Sequence, residues 1–532
     1  MIRRIQFAAA AVLALLLAMP GGAGAQQARV ITGSVTSSLD GKPVAGAIVR
    51  LKGAVLVATT DAAGRYRLDI PASSSETLVF SHQDHDIIER EIAGISQFDI
   101  VLMSRVRINQ YGVRVDRKPV NGEERGGFLV FESPDQSYRF WFDMRVQIDA
   151  AAFSGQTPAP IGNGMGLRRL RLAAKSQITP RWYGEVDLNF ADAAVEIEDA
   201  YMEYSVDNDF SAKLGNSKEV FSMETNTTSR YLTFIERPIP TKALTPSRRL
   251  GLGLAKDLPL GFRGFGGIYF QDIGEGDAVV ARQDNNETFG ANEGYSLTGK
   301  LIFRPSFNSE KGALHLAAAS SYRTPKTDDV LGTMRFSTRT VSYINRKKYL
   351  DTDRMKSVDH QNLSSLEGAA FRKNLRIQGE YYTTTVDRLD TLKSAKFGGG
   401  YVMASMLLFG GQHRYDAENG EFTQPTRGRS WGDVELAARF EYLNLNDFDA
   451  GIKGGAGQAA VIGLNWWVNN NVKFMMNYGI VDHDRYANGR GKFAVGYDAA
   501  GMPTKNPALV VAPSGKAGND YRVLALRCEV NF

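Results

Sequence analysis

The stretch that decides the fold is the last one in the chain, Tyr521–Phe532, which reads YRVLALRCEVNF. Counting back in twos from Phe532 gives Val530, Cys528, Leu526 and Leu524, which are all apolar. The interleaved residues Asn531, Glu529 and Arg527 are all polar. Because successive side chains of a strand point to opposite faces, this segment has one apolar and one polar face. It predicts the closing strand of a membrane β-barrel, with lipid on one side and water or protein on the other.

The start of the chain indicates export from the cytoplasm. Arg3 and Arg4 precede an apolar run over residues 7–19, and the small residues Ala23–Ala25 follow. This order of charge, apolar run and small residues predicts that residues 1–25 are a signal peptide. The alternative, a membrane anchor, is disfavoured because the run is too short to span a bilayer comfortably. Nowhere else does the sequence approach the ~20 continuous apolar residues of a membrane helix.

Composition excludes some functions. The formal net charge of +5 falls to +3 without Arg3 and Arg4, which is too small to predict nucleic-acid binding. The single cysteine, Cys528, cannot form an internal disulfide. The six histidines are scattered, and neither a Gly-x-Ser-x-Gly nor a His-Glu-x-x-His motif occurs. We therefore expect no enzyme activity, metal or cofactor. The glycine runs at 398–400 and 454–455 are interpreted as turns.

Residues 26–104 contain short strand-like segments separated by turn signals, and predict a small antiparallel β-sandwich. This part resembles the carboxypeptidase regulatory-like domain, a resemblance that implies an accessory module. It rests on Gly33-x-Val35, Gly41-x-Pro43-x-x-Gly46-Ala47-x-Val49 and Thr60-Asp61-x-x-Gly64-x-Tyr66-x-Leu68.

Two further features of this region have plain interpretations. His82, Asp84, His85 and Asp86 offer metal-binding groups, but adjacent ligands on one loop rarely complete a coordination sphere. We interpret them as a solvated polar loop. Residues 105–127 are charged and contain glycine, and are interpreted as a linker.

In the segment from residue 128 to the C-terminus, the alternation becomes regular from Tyr138 onward. Phe142 and Val146 lie on one face, for example, and Asp143 and Arg145 on the other. A soluble sandwich also alternates, but acids and bases that recur along one face fit a polar lumen better. At about 25 residues per strand, residues 128–532 give on the order of 16 strands. The predicted fold is all-β: the sandwich, then a ~16-stranded transmembrane barrel wide enough for an aqueous passage.

This segment resembles the phosphate-selective porin O and P family. The resemblance implies a trimeric sixteen-stranded barrel in the outer membrane, with loops folded into the pore. Its partners would be outer-membrane lipid, two further copies in a homotrimer, and small anions as permeants. The best-matched residues are Arg145-Val146-Gln147-x-Asp149, Gly166-Leu167-Arg168-Arg169-x-Arg171-Leu172, Val195–Tyr201, Thr228–Arg237, Arg248–Gly251, Trp431-x-x-x-Glu435–Arg439 and Gly463–Trp467.

Basic residues that face the lumen would favour anions, since a pore selects by its width and by the field of its lining. By the strand period, Arg145 lies on the polar face, and so do Arg169 and Arg171. Arg168 has the opposite parity, so we assign it to an irregular strand start. A guanidinium suits this task because it offers a fixed fork of donors and stays charged.

The resemblance adds roles for particular residues. The basic positions at the family's constriction and along its arginine ladder match Arg145, Arg168, Arg169 and Arg237. The acidic positions of the constriction match Glu198 and Asp199. These acids would keep a bound anion from being held too tightly.

One position departs from the family pattern. The family has a lysine just after a Phe-x-x-Glu element, which is Phe221–Glu224 here, and this chain has Thr225 instead. The change removes an ammonium donor, so we expect anion preference without specificity for phosphate.

Structural alternatives remain for the charged residues. In the alternative interpretation, Arg145 does not contact a permeant but braces the barrel wall in an ion pair with Asp143 or Asp149. Arg439 would brace the wall in the same way with Glu435. A second basic stretch is either an entrance funnel or a solvated outer loop. It contains Arg335, Arg339, Arg346, Lys347, Lys348, Arg354 and Lys356.

The sequence therefore predicts a passive, anion-preferring outer-membrane porin with a periplasmic N-terminal domain. The alternative is a ligand-binding barrel of the TonB-dependent receptor type, which needs a plug domain before its first strand. The room between Met103 and Tyr138 is too small for a plug.

Overall fold

The computed structural model describes residues 29–71, 77–116, 119–155, 157–191, 195–270, 294–305, 312–325, 327–328, 331–511 and 517–532. The segment predicted to be a signal peptide lies outside these residues. The chain forms two compact units, which divide between Pro119 and Val120. In the described part of the chain, no helix is both long and apolar enough to cross a membrane.

The first unit contains two small sheets around one apolar core. Its strands are β1 Arg29–Ser37, β2 Ile48–Leu51, β3 Val57–Thr59, β4 Arg65–Ile70, β5 Thr77–His82, β6 His85–Glu91 and β7 Ile100–Leu102. One sheet has the order β4-β1-β7 and the other β3-β2-β5-β6. Alternate residues of both sheets, such as Ile31, Leu51 and Phe80, are fully buried in the shared core. The strands are antiparallel as predicted, except that β1 and β7 run parallel.

Residues 105–127, which we interpreted as a linker, contain β-strands. Two hairpins occupy this region and the residues just after it. Their strands are β8 Val106–Ile108, β9 Arg114–Asp116, β10 Asn121–Arg125 and β11 Phe128–Glu132. Gly112 (φ 77°), Gly126 (φ 61°) and Gly127 (φ 93°) supply the positive φ angles of the two turns. The glycines that suggested flexibility are therefore turn residues.

The second unit contains the remaining strands and the helices. In chain order the strands are β12 Arg139–Ser154, β13 Gly164–Gln177, β14 Trp182–Asn189, β15 Glu196–Ser205, β16 Phe210–Lys218, β17 Arg248–Leu258, β18 Phe262–Tyr269, β19 Ser296–Phe303, β20 Gly312–Arg323, β21 Thr327–Asp328, β22 Leu331–Gly332, β23 Ser337–Thr338, β24 Leu350–Asp351, β25 Val358–Arg372, β26 Leu375–Arg388, β27 Ala395–Leu407, β28 Arg414–Asp416, β29 Glu421–Thr423, β30 Asp433–Asp447, β31 Ile452–Trp467, β32 Val472–His483, β33 Gly496–Tyr497, β34 Pro503–Thr504 and β35 Tyr521–Asn531. The helices are α1 Met223–Asn226 and α2 Ile239–Leu244, with 3-10 turns at Pro259–Gly261 and Pro507–Leu509.

Sixteen of these strands form a closed antiparallel barrel. They run in sequence order from β12 to β35, and the short strands β21–β24, β28, β29, β33 and β34 form hairpins in the connections. The glycine runs at 398–400 and 454–455 lie inside β27 and β31, so their interpretation as turns was wrong.

The barrel closes where the last strand meets the first. β35 pairs with β12 over ten residue pairs, and also with β32 on its other side. Phe532 extends the closure, since its backbone exchanges two hydrogen bonds with Met144. On the lumen side, the fully buried guanidinium of Arg527 donates to both carboxylate oxygens of Asp149, at 2.6 and 2.8 Å. The closing strand predicted from the final residues is confirmed.

Outward and inward residues differ as the two-sided pattern predicts. Phe142 and Ile148 of β12 point outward and are exposed on the isolated chain. Asp143, Gln147 and Asp149 of the same strand point inward and are buried. The polar face therefore lines a lumen, and the apolar face forms the outer surface of the barrel.

A β-bulge explains the parity of Arg168. In the pairing of β12 with β13, Gln147 lies opposite Arg169 and the next residue, Ile148, lies opposite Leu167. Arg168 is the extra residue, which gives it an inward side chain next to that of Arg169. The irregularity lies within β13, which begins at Gly164, and not at its start.

The two ends of the barrel differ. Short turns such as 178–181 and 206–209 lie at the end where β12 begins, which we call the turn end. At the opposite loop end, residues 219–247 and 331–357 fold into the barrel, and we call them the first and second inserted connections. A third inserted connection, residues 408–432, enters from the turn end. All three contribute buried apolar side chains, including Phe221, Phe234, Ile239, Val341 and Phe422.

The closing ion pair gives a test of barrel stability. In an Arg527→Met variant, Asp149 keeps a buried charge without its guanidinium partner, which we expect to cost about 3–5 kcal/mol of unfolding free energy. Urea unfolding of the protein refolded into lipid vesicles measures the loss. The double variant Asp149→Asn, Arg527→Met removes both charges and should recover most of it. An unchanged unfolding midpoint in the single variant would show that this pair does not stabilise closure.

Candidate functional site

A polar cavity of about 910 Å³ runs along one side of the barrel interior, and we call it the passage. Its wall is formed by inward residues of β12–β18, and the three inserted connections form its other side. It extends from Arg339 and Lys348 near the loop end to Lys213 and Arg263 near the turn end. The described residues around it include thirteen Lys and Arg and nine Asp and Glu, a formal excess of four positive charges.

Two arginines of the middle section have neutral hydrogen-bond partners. Arg145 Nη1 donates to Ser229 Oγ at 2.6 Å, and Arg169 Nη1 donates to Gln147 Oε1 at 2.7 Å. Both partners are neutral, and neither guanidinium forms an ion pair within the described part of the chain. Their positive fields are therefore directed at the passage and not cancelled locally.

The predicted acids have arginine partners. Arg171 forms ion pairs with Asp187, at 3.3 Å, and with Glu198. Arg248 forms a bidentate pair with Asp199, at 2.9 and 2.8 Å, and a second pair with Glu198. Glu198 and Asp199 thus fix two guanidiniums in place and neutralise them. Arg248 was part of the motif that suggested the family, but sequence reasoning assigned it no role.

Arg168 belongs to a cluster near the loop end. Its Nε donates to Glu236 Oε1 at 2.7 Å. Its guanidinium lies 4.3 Å from the ring centroid of Tyr343, and those of Arg339 and Arg346 lie 4.8 and 4.6 Å from the same centroid. Three guanidiniums around one ring concentrate positive charge where the passage begins.

The second basic stretch is divided between two positions. Arg339 and Lys348 lie on the second inserted connection and line the passage. Arg335 instead forms a bidentate pair with Asp351, at 2.8 and 2.5 Å. The stretch is therefore neither wholly an outer loop nor wholly a funnel.

Arg237 lies on the first inserted connection and also faces the passage. Its Nε donates to the carbonyl oxygen of Glu224 at 2.8 Å, and its Nη2 to that of Thr227 at 2.6 Å. Lys218, which sequence reasoning did not select, donates its Nζ to the carbonyl oxygen of Asn226 at 2.7 Å. Two cations thus satisfy the C-terminal carbonyls of α1 while lining the passage.

Thr225 also lines the passage, and its carbonyl oxygen lies 3.4 Å from Nη2 of Arg237. Its hydroxyl is 2.7 Å from the hydroxyl of Thr245, which follows α2. The residue therefore joins the two short helices of the connection and brings no charge to the passage.

Buried acids of the opposite wall hold the first inserted connection by its backbone. Glu380 accepts a hydrogen bond from the Glu224 amide at 2.8 Å, and Glu441 accepts one from the Ile239 amide at 3.1 Å. Gly399 allows the close approach, because a Cβ there would lie 2.9 Å from the Cβ of Pro240. The connection is fixed against β26, β27 and β30, which leaves the passage on the other side.

Glu236, in the same connection, remains ionised. Burial raises its pKa, but Arg168 and Lys242 hold the pKa of this carboxyl well below its ordinary value. Its charge therefore balances part of the cluster around Tyr343.

The bracing pairs considered from the sequence are replaced by others. Asp143 pairs with Lys175, at 3.3 Å, and with Arg230, and Asp149 pairs with Arg527. Arg439 pairs with Glu441 at 3.1 Å, not with Glu435. Because these acids have other partners, Arg145 is not a brace within the described structure.

Two groups of potential metal ligands also have protein partners. Carboxylate oxygens of Glu185, Asp187 and Asp199 lie within 4.8 Å of one another, but each acid is paired with a wall cation. In the first unit, the rings of His82 and His85 are 3.0 Å apart at their Nδ1 atoms. Burial lowers the pKa of His85, which favours its neutral form.

Comparison with known proteins gives two family matches. The model of the family described as phosphate-selective porin O and P matches residues 140–502, more than half of the chain. The model of the carboxypeptidase regulatory-like domain matches residues 30–98. A curated protein of Caulobacter vibrioides, described as uncharacterized, is 28% identical over 368 residues, which cover 67% of this chain and 71% of that relative.

Solved outer-membrane structures are also similar. An anion-selective porin from Comamonas acidovorans has a TM-score of 0.46 at 10% identity, covering 74% of this chain and 100% of its own. The outer membrane channel DcaP of Acinetobacter baumannii has a TM-score of 0.42 at 12% identity, with 76% and 99% covered. The trimer form of OmpT from Vibrio cholerae has a TM-score of 0.45 at 10% identity, with 74% and 100% covered.

Proposed function

Because the chain belongs to the phosphate-selective porin O and P family, we propose that it is an outer-membrane porin that lets small anions diffuse passively through the passage. One observation supports the preference for anions. Of the cations that line the passage, Arg145, Arg169, Lys218, Arg237 and Arg339 form no ion pair with a described carboxylate. Uncancelled positive charge in a narrow lumen attracts anions and repels cations.

The passage offers an anion a series of contacts. The three guanidiniums around Tyr343 attract it at the loop end, which faces outward if the short turns face the periplasm. Arg145 and Arg169 then present donors to an oxyanion in the middle section. The charges of Arg171 and Arg248 are neutralised by Glu198 and Asp199. These two arginines therefore affect the shape of the passage more than its electrostatic field. This alternation lets an anion enter and leave.

The permeant class we propose is small oxyanions in general, phosphate among them. Thr225 has no ammonium to donate, and its hydroxyl is engaged with Thr245. Without that ammonium donor, we expect the passage to discriminate little between phosphate and other oxyanions of similar size.

Reversal potentials in a potassium chloride gradient test the preference directly. Planar bilayers containing the protein should show the sign of an anion-preferring channel, and a cation-preferring sign would end the proposal. An Arg169→Gln variant should lower the anion-to-cation permeability ratio about tenfold. One unit charge about 6 Å from the ion, at the dielectric constant of water, changes the permeability of the anion and of the cation about threefold each and in opposite directions. Arg372→Gln, an exposed arginine away from the passage, is the matched control and should change little.

Restoring the ammonium at position 225 tests the permeant class. A Thr225→Lys variant should bind phosphate more tightly, so that its conductance saturates at a phosphate concentration roughly tenfold lower, worth about 1.4 kcal/mol. Thr225→Gln controls for side-chain length without charge and should behave as wild type does. Equal saturation in all three proteins would show that this position does not contact the permeant.

We also infer a homotrimer and a periplasmic N-terminal unit. The trimer follows from the family resemblance, and the mass of the detergent-extracted complex tests it, since a monomer would contradict it. The periplasmic placement is supported by the chain entering β12 at the turn end, because short turns face the periplasm in such barrels. Protease added to intact cells should therefore spare the N-terminal unit, and cleavage there would contradict the placement.

A further inference from the structure

The third inserted connection places a hairpin inside the barrel. β28 and β29 are antiparallel, and the connection that carries them joins β27 to β30 at the turn end. Tyr415 and Phe422 of the hairpin are buried against Met223 of α1 and Phe371 of the wall. A segment that starts among the short turns thus reaches the helix of the first inserted connection.

The hairpin is held by specific contacts. The Tyr415 hydroxyl lies 2.7 Å from His315 Nδ1, and His315 Nε2 lies 3.2 Å from Glu367 Oε2. The guanidinium of Arg376 lies 3.9 Å from the ring centroid of Phe422. Because these wall residues are buried, the position of the hairpin is well defined.

The tip of the hairpin forms part of the passage. Glu418, Asn419 and Glu421 all line it, and Gly420 between them has a φ of 67°. A Cβ at Gly420 would lie 2.8 Å from Ile302 Cδ1, so glycine lets the tip approach the wall. The hairpin therefore presents carboxylates to the same space as the wall arginines.

Most acids of the passage are neutralised, and those of the hairpin are not. Six of the nine lining acids form ion pairs with wall or loop cations: Glu185, Asp187, Glu198, Asp199, Glu203 and Glu236. Glu418 and Glu421 form no ion pair with a described cation. Glu196 also has no such ion pair, but it accepts a hydrogen bond from Asn189. The hairpin thus adds negative field where the wall adds positive field.

Glu421 faces the section of the passage around Thr225. Phe422, the next residue of β29, is buried in the same cluster as Met223 of α1. Burial raises the pKa of Glu421 to about 7, while Lys218 of β16 lowers it, Asp416 of the hairpin raises it and Arg237 of the first connection lowers it. The Glu421 carboxylate therefore interacts electrostatically with both Lys218 and Arg237, although it forms an ion pair with neither.

We propose that Glu421 is a specificity-determining residue that limits how tightly the passage holds an anion. The inference rests on the proposed function. Without this carboxylate, Lys218 and Arg237 create a deeper well for an anion beside Thr225. A conducting site must bind strongly enough to admit the ion and weakly enough to release it. Glu421 shifts that balance towards release at the inner part of the passage.

The test is a Glu421→Gln variant in planar bilayers at pH 8, where the wild-type carboxylate is ionised. We expect its anion-to-cation permeability ratio in potassium chloride to rise about tenfold, by the Coulomb argument used for Arg169. With inorganic phosphate as the permeant, the half-saturating concentration and the plateau conductance should both fall. Glu421→Asp keeps the charge and should resemble wild type. Glu418→Gln removes an exposed carboxylate from the same tip and should give less than half the shift.

Each outcome has a defined meaning. Unchanged selectivity and saturation in Glu421→Gln would overturn the inference. So would an equal shift in Glu421→Asp, which would indicate a structural role, or in Glu418→Gln, which would assign the effect to the hairpin's net charge. Failure of the proposed function is separate, because it is read from the sign of the wild-type reversal potential alone.

Discussion

Every peptide group that faces lipid must find its hydrogen-bond partner within the protein, and the rest of the structure depends on this constraint. Sixteen strands satisfy it only when the last pairs with the first, as β35 does with β12. A closed barrel of this size encloses more volume than its own inward side chains fill. The remaining volume is occupied by the three inserted connections, and the passage is the part that they leave open.

The position of the passage follows from where the connections are anchored. Inward residues of β26, β27 and β30–β32 form an apolar core with the first and second connections. On that side, buried acids such as Glu380 and Glu441 accept hydrogen bonds from backbone amides of the first connection. On the side of β13–β18, inward acids instead pair with arginines and leave space for water. One polar face of a barrel thus serves two purposes, as an anchor on one half and as a lining on the other.

The barrel can be predicted from the sequence because strand alternation is a local property, and the final strand alone shows both faces. Less of the site can be predicted, because the partners of inward charges depend on the register between strands and on the loops. Arg168 illustrates the first cause, since a single extra residue in β13 reverses its parity. The pairing of Asp149 with Arg527 also depends on register, since the two residues lie opposite each other on β12 and β35. Asp143 illustrates the second cause, because its partner Arg230 lies on the first inserted connection. The glycine run at 398–400 was misinterpreted since the chain that approaches it, at Pro240, is distant in sequence.

Counting charges along the lining gives a poor measure of selectivity, because an ion pair a few ångströms across has a weak field at a distance. Glu198 and Asp199 are acidic residues of the lining, yet their main electrostatic effect is to cancel Arg171 and Arg248. The field that an ion meets comes from the charges left over, and these lie on different parts of the chain. The wall supplies unpaired arginines, and a hairpin from the turn end supplies unpaired carboxylates. On the proposed function, separate segments therefore set selectivity and release, and each can change without disturbing closure of the barrel.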